Sequence, residues 1–467
     1  MKNKYIKLYF IAISILTITF SSCSKDESLE SDPFVVAFES LSKNLMDIEN
    51  DETIVLVYSE IALENGSVII NINPKNATYG IDFITIPAAS DNIITLPIST
   101  GEFENSIVFK KLNTILDETT EIEFVVMSIN YNNSNIQGYS NFLINASASL
   151  GGSFSPEVGG PNEGNQVFVD LSSQRSTLAR RDTWDLGFYS GNNFRVTING
   201  SIFMAAKSLT SNNIDAITEA DVAGLQPQVA VGTFNPTNAA YVDAPNGDIL
   251  ETAIAEISEN DNENPVYLLN LGYEVGTDIP TSGSVAIAGD QRGWKKIRIL
   301  RNNNNYILQY ANLNDTAHEE IIISKSSVFS FNHFSFNTNT LVNVAPQKQK
   351  WDLCFTVFTN VLNGAGSYGF SDFTVHNRNG GALAYKVNSS DFQYDDFGIN
   401  NIIESNFSRD VTTIGSSWRS VFDRIAYNDR FYIIKDPNGN NYKIKFLALT
   451  NNDGVRGYPE FEYKLLQ

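Results

Sequence analysis

Three histidines, two cysteines and many scattered acids are the groups in this 467-residue chain with obvious chemistry to offer. His318 sits in NDTAHEE, a turn-like stretch with two acids behind it. His333 sits in FSFNHFSF, which reads as a strand, and alternation sets it on the opposite face from Phe334. His376 lies in FTVHNRNGG, just before the stretch GGALAY. No two of them show the His-x-His or His-x₃-His spacing of a local metal site. His333 and His376 could converge only through the fold. Nothing resembles a nucleophile elbow, a phosphate loop, a zinc motif or a Ser-His-Asp set, so the expectation is a protein that is not an enzyme.

The elements that must position these groups follow a leader segment. Lys2, Lys4 and Lys7 precede an apolar run from Leu8 to Phe20, too short for a permanent span and suited to a secretory signal. Phe20-Ser-Ser-Cys23 resembles a bacterial lipobox, which implies lipidation at Cys23 after removal of residues 1–22. Ser24-Lys-Asp-Glu27 resembles the surface-export signal of Bacteroidota lipoproteins, and residues 23–32 read as an acidic tether. The expected location is the outer membrane, lipid-anchored and exposed at the cell surface. With Cys23 committed, Cys354 has no partner and no disulfide framework can form. The net charge is −21, which disfavours nucleic acid and anionic lipid as partners.

The pattern is β almost throughout: short runs rich in β-branched and aromatic residues, separated by Asn, Gly and Asp clusters. Residues 214–225 (IDAITEADVAGL) are the one stretch that predicts a short helix, with Asp215 as its cap. Residues 33–147 form a first unit, ended by Gly151-Gly152 and Gly159-Gly160-Pro161. Two further units, 148–327 and 328–467, each carry Trp-Asp-Leu-x-Phe, at Trp184 and at Trp351. A leader strand precedes each motif, with Val167 equated to Phe334. The hairpin 294–315 is equated to 430–453, which leaves roughly 30 extra residues in copy one between about 210 and 285. As an alternating strand, the motif is read with Trp, Leu and the residue after Phe on one face and Asp and Phe on the other. The tryptophans are read as core packing.

Together the lipobox, the leader strands, the doubled motif, GGALAY (residues 380–385) and the closing RFYIIKDPNGNNYKIKF resemble the HmuY family of haem-binding lipoproteins, in two tandem copies. The first unit resembles a Calx-β domain through VVAFE, ATYGIDF, ITLPI and ETTEIEF. The fold implied is all-β: an N-terminal Calx-β/Ig-like sandwich, then two HmuY-like domains. The first resemblance implies haem or a related porphyrin as the ligand, taken for nutrient acquisition, with an outer-membrane receptor or a host haemoprotein as partner. The family's axial histidine falls on Tyr189 in copy one and Thr356 in copy two. Tyr189 is then a candidate ligand or a packed aromatic, and Met204 a candidate second ligand or a core filler. His376 and His333 are the other haem candidates. The Calx-β resemblance implies calcium at Glu39, Asp82, Asp117 and Glu118, oxygen donors suited to that cation. The alternative function is a non-haem surface module that binds a protein or a glycan.

Overall fold

A computed structural model describes residues 33–112, 116 and 119–467. The leader segment, Cys23, Asp117 and Glu118 lie outside the described residues. Among those described, no helix is long and apolar enough to cross a membrane.

The first unit is a β-sandwich of two five-stranded sheets. Every second residue of Asp51–Tyr58 and of Gly66–Lys75 points inward, so Ile54, Leu56, Val68 and Ile70 meet Phe109 and Phe124 in a dry core. Face-to-face packing of two alternating sheets is the expected outcome of that pattern.

The rest of the chain builds two bodies, each a four-stranded sheet packed on a five-stranded one. In body one the small sheet runs Val196–Ile198, Leu186–Tyr189, Phe331–Ser335, Thr340–Val342. Its large sheet runs Ala205–Ser208, Val266–Asn270, Trp294–Asn302, Asn305–Ala311, Glu319–Ser324. Body two has Arg175–Arg180, Asn165–Asp170, Leu353–Leu362, Gly366–His376 in its small sheet. Its large sheet runs Gly151–Phe154, Arg456–Leu465, Asn441–Thr450, Arg430–Lys435, Leu383–Asn388.

The bodies do not coincide with the sequence copies, because the leader strands are exchanged. The leader of copy one pairs with the motif strand of copy two, Val169 opposite Leu353. The leader of copy two pairs with the motif strand of copy one, Phe334 opposite Leu186. Strand Gly151–Phe154 likewise joins the large sheet of body two through Arg456–Leu465. Body one is therefore continuous in sequence, and body two is assembled from both sides of it.

Several sequence expectations need correction. The pairings match Phe334 to Val169, not to Val167. Leu186 and Phe188 share the body-one core, and Leu353 and Phe355 share that of body two, so Leu and Phe of the motif face the same way. Both tryptophans precede the strand proper and pack in a separate cluster between the bodies. In the large sheets, Val266–Asn270 and Trp294–Asn302 hold the places of Arg430–Lys435 and Asn441–Thr450, so the closing hairpins were equated one strand out of step. Lys296 and Lys443 mark the true match. They pair with Leu268 and Ile433, and each ammonium is buried on backbone carbonyls, Ile217 (2.6 Å) for the first and Phe397 (3.0 Å) for the second. The extra length of copy one falls in the irregular segment 209–265 and in the ribbon Tyr273–Val275/Ala288–Gln291. The expected helix is split into a 3₁₀ turn at Ile214–Ala216, capped by Asn213 rather than Asp215, and a single α-turn at Glu219–Val222. Thr218 and Asp221 form a capping box on that turn, which ends the first piece and starts the second.

Candidate functional site

The exchange of leaders fixes the motif aspartates. Asp185 accepts the Phe336 amide (2.6 Å), and Asp352 accepts the Leu171 amide (2.7 Å), each at the turn of the other copy's leader hairpin. Both are buried. Asp185 also meets Arg292 at 2.6 Å. Among the described residues no cation pairs with Asp352; burial first, then the Asp170 charge, holds its pKa well above the ordinary carboxylate range. Beyond each motif strand an asparagine knits the return of the chain. Asn199 donates to the carbonyls of Arg181 (2.7 Å) and Trp184 (2.8 Å). Asn377 donates to those of Lys348 (2.8 Å) and Trp351 (2.8 Å). These paired clamps place Trp184 and Trp351 against the seam.

Along the seam, the outer faces of the two small sheets meet. Phe168 and Cys354 are cross-strand partners on the face of their sheet that points away from the body-two core. Gly187, Thr197 and His333 share the outer face of the other sheet, since Phe334 takes the inner one. Trp184 bridges the bodies by donating its indole N–H to Gln166 Oε1 (2.8 Å). Between the faces lies a cavity of about 260 Å³, walled by Phe168, Trp184, Phe331, Trp351 and Phe358. A hollow of about 180 Å³ adjoins it and shares Thr197, Gly200, Phe331 and Phe358.

Two sequence-predicted residues come together here, because His333 and His376 both line the cavity. The His333 ring stands edge-on to Trp184 at 4.7 Å between centroids, and burial pushes its pKa down to about 4. His376 is 1% exposed, and neither ring nitrogen makes a well-formed hydrogen bond, although the Arg409 carbonyl lies beside the ring. Burial lowers its pKa to about 4 as well, and the Arg378 charge adds to this, while Asp410 and the Arg409 carbonyl pull the other way. Both imidazoles are thus neutral at ordinary pH, the form that ligates a metal. Thr356 also lines the cavity and is held by Gln166 Nε2 (3.2 Å). Cys354 lines it as a buried thiol whose pKa burial raises.

The other predicted residues lie elsewhere. Tyr189 packs on Phe331 at 5.5 Å and lines neither the cavity nor the hollow. Met204 is buried in the body-one core and reaches only the adjoining hollow. His318 pairs with Asp215 at 2.9 Å in a loop remote from the seam. Of the calcium set, Asp117 and Glu118 lie outside the described residues, and Glu39 and Asp82 stand apart. Glu39 is level with Val55, whose partner is Ser106, whereas Asp82 is level with Leu112, about 20 Å further along the strands. Asp82 is occupied with the Thr78 amide (2.8 Å), and the charges facing Glu39 are Glu104 and Glu460. Among the described residues no group of three or more His, Cys, Asp or Glu is placed to hold a metal ion. Missed from the sequence were both tryptophans as cavity walls and Arg378 at the cavity edge. The recurrence of Asn199 and Asn377 behind the two motifs was a signal that could have located the seam.

The architecture defines a class: a duplicated two-sheet β protein with a ligand-sized cavity where the copies meet. The model of the HmuY protein family matches residues 162–325 and 327–463, and the chain belongs to that family. Membership suggests a surface protein of the haem-binding type. No curated protein matches the chain. Among solved structures, the apo-form Calx CBD1 domain is similar at 11% identity, over 24% of this chain and 96% of that one, with a TM-score of 0.20. CBD12 from CALX1.2 is similar at 11% identity, over 37% of this chain and 60% of that one, also at 0.20.

Proposed function

We propose that this protein is a surface-anchored lipoprotein that captures haem or a related porphyrin in the cavity between its two HmuY domains. The observation that carries the reading is an aromatic-walled cavity holding two neutral imidazoles, one of them buried with no well-formed hydrogen bond on either nitrogen. Small-molecule sites are apolar clefts of roughly 300–1,000 Å³ with a few placed polar groups. The cavity and its adjoining hollow fall in the lower part of that range when taken together. His333 and His376 would hold a metalloporphyrin's iron, and imidazole is a common ligand of haem iron. Trp184, Trp351 and Phe358 supply flat apolar walls for the macrocycle. Lipidation at Cys23 would tether the chain, with the first sandwich as a spacer that lifts the binding bodies off the membrane.

The test is a haemin titration of the full chain followed in the Soret region. The expected result is a shifted band that saturates near one equivalent per chain. His333→Ala and His376→Ala should each change the band, whereas Tyr189→Phe should leave it unaltered. A flat, non-saturating response would end the porphyrin reading.

A further inference from the structure

A strap contributed by body one walls the adjoining hollow and touches the cavity at its tip. Residues 242–253 leave the 3₁₀ helix Pro236–Tyr241, reach across to body two and return. The root of the strap is fixed by Asp243, which accepts the amides of Ile198 (2.9 Å) and Ala253 (2.8 Å). At the tip, Gly247 lines both the cavity and the hollow. A Cβ there would come within 2.8 Å of Val411, at a positive φ of 75°, so only glycine lets the strap lie this close. Body two holds the tip through the Val411 amide, which donates to the Asn246 carbonyl (3.2 Å), and through one side chain. Arg378 donates to the Asn246 carbonyl (3.1 Å) and pairs with Asp248 (3.0 Å).

Arg378 is also the one formally charged side chain, histidines aside, among the described residues that line the cavity, in a chain of net charge −21. Among the described residues no carboxylate lines the cavity itself, and the two that line the adjoining hollow are Asp243, held by the strap's root amides, and Asp248. Arg378 therefore brings to the cavity a positive charge that a negative group of a ligand would meet, and Asp248 now pairs with it. We infer that the ligand of this cavity carries a carboxylate, and that this carboxylate takes Arg378 from Asp248 and so loosens the strap, whose tip then keeps only the Val411 amide on Asn246. The exchange favours the ligand. The Asp248 side chain is 32% exposed, and a half-solvated ion pair contributes little. A carboxylate presented from within an apolar cavity makes a stronger, bidentate contact with the guanidinium. The inference rests on the porphyrin reading of the site and adds to it the anionic group and the moving part.

The probes are mesoporphyrin, a dicarboxylic acid, and its dimethyl ester, each offered to the full chain in the same dilute detergent. The diacid should bind at least roughly ten-fold more tightly than the ester, the scale of one charge-assisted contact. Arg378→Gln should bring the two affinities together, and Arg378→Lys should recover part of the difference. Asp248→Asn should tighten the diacid several-fold and leave the ester unchanged. It also serves as the deciding variant should Arg378→Gln not fold. Amide exchange at Gly247 and Glu251 should accelerate with the diacid only. Equal binding of acid and ester by the unsubstituted chain would overturn the carboxylate exchange and leave the porphyrin reading standing. Binding of neither would overturn both.

Discussion

Asp352→Asn should make the protein more stable at neutral and alkaline pH, while the same change at its counterpart Asp185 should make it much less stable. The two aspartates share a motif position, a buried setting and a backbone amide partner. They differ in their neighbours. Asp185 meets Arg292 at 2.6 Å, so removing its charge strands a buried guanidinium, at a cost of about 3–5 kcal/mol. Asp352 instead faces Asp170 and Asp436, and among the described residues no cation meets it. Those two are satisfied by turn donors, Ser172 and Ser173 for Asp170 and Asn438 and Asn440 for Asp436. An asparagine at 352 keeps the acceptor for Leu171, and its amide donors face two carboxylates. The gain at pH 8 should be about 1–3 kcal/mol, the range for relieving one uncompensated buried polar group. The sign with pH follows from linkage. The folded-state pKa of Asp352 is raised, so between the unfolded value near ~3.9 and the folded value the native state alone keeps the proton. Stability is full below that window and falls as pH rises through it, by at most about 1.4 kcal/mol per unit. Urea unfolding read by tryptophan fluorescence from pH 4 to 9 is the assay. The four tryptophans all lie at or beyond position 184, so the signal reports the two bodies and not the first sandwich. A gap between variant and parent that does not widen with pH, or an Asp352→Asn protein less stable at pH 8, would refute the reasoning.

Two further outcomes are expected. Asn377→Ala removes donors from the Lys348 and Trp351 carbonyls and the acceptor of the Gly380 amide (2.8 Å), and should cost about 2–4 kcal/mol in urea unfolding. Cys354, buried with a raised thiol pKa, should resist a thiol reagent in the native chain and react at the rate of local unfolding. Bound porphyrin should slow that reaction further, and equal rates with and without it would place the ligand elsewhere.

Much of the architecture was legible because it is written in alternation and repetition. Trp-Asp-Leu-x-Phe recurs, the β runs are short and bounded by turn residues, and both readings hold in the two bodies. The errors have a physical origin in the same periodicity. A strand shifted by two residues presents the same faces, so pattern alone cannot separate Val167 from Val169 as the partner of Phe334. Neighbouring strands of one sheet also look alike, which is how the closing hairpins slipped by one strand. Partner exchange leaves no local trace at all, since a leader strand satisfies the motif strand of either copy with the same hydrogen bonds. His333 and His376 were visible as single residues. Their shared cavity was not, because it is made by the outer faces of two sheets that are 43 residues apart in the numbering of those histidines and belong to different bodies. Arg378 lacked any signal, its role being set by a strap that arrives from the other copy.

The exchange also explains why the site lies where it does. Each small sheet buries one face in its own body, and an ordinary tandem would be free to leave the other face to solvent. Here the hairpin Asn165–Asp170/Arg175–Arg180 is bonded into body two, and Trp184 follows it by only a few residues as body one begins. The chain between Arg180 and Leu186 is therefore too short to let the two small sheets separate. Buried Arg181 reinforces the joint from within it, donating to the Glu163 (2.8 Å) and Ser201 (2.7 Å) carbonyls. The outer faces are held opposed, and their aromatic side chains make walls rather than exposed patches. Because this hinge is fixed, a guest cannot enter by parting the bodies there. Movement is left to the Gly247 strap at the edge of the cavity, which one arginine and a few backbone bonds hold in place.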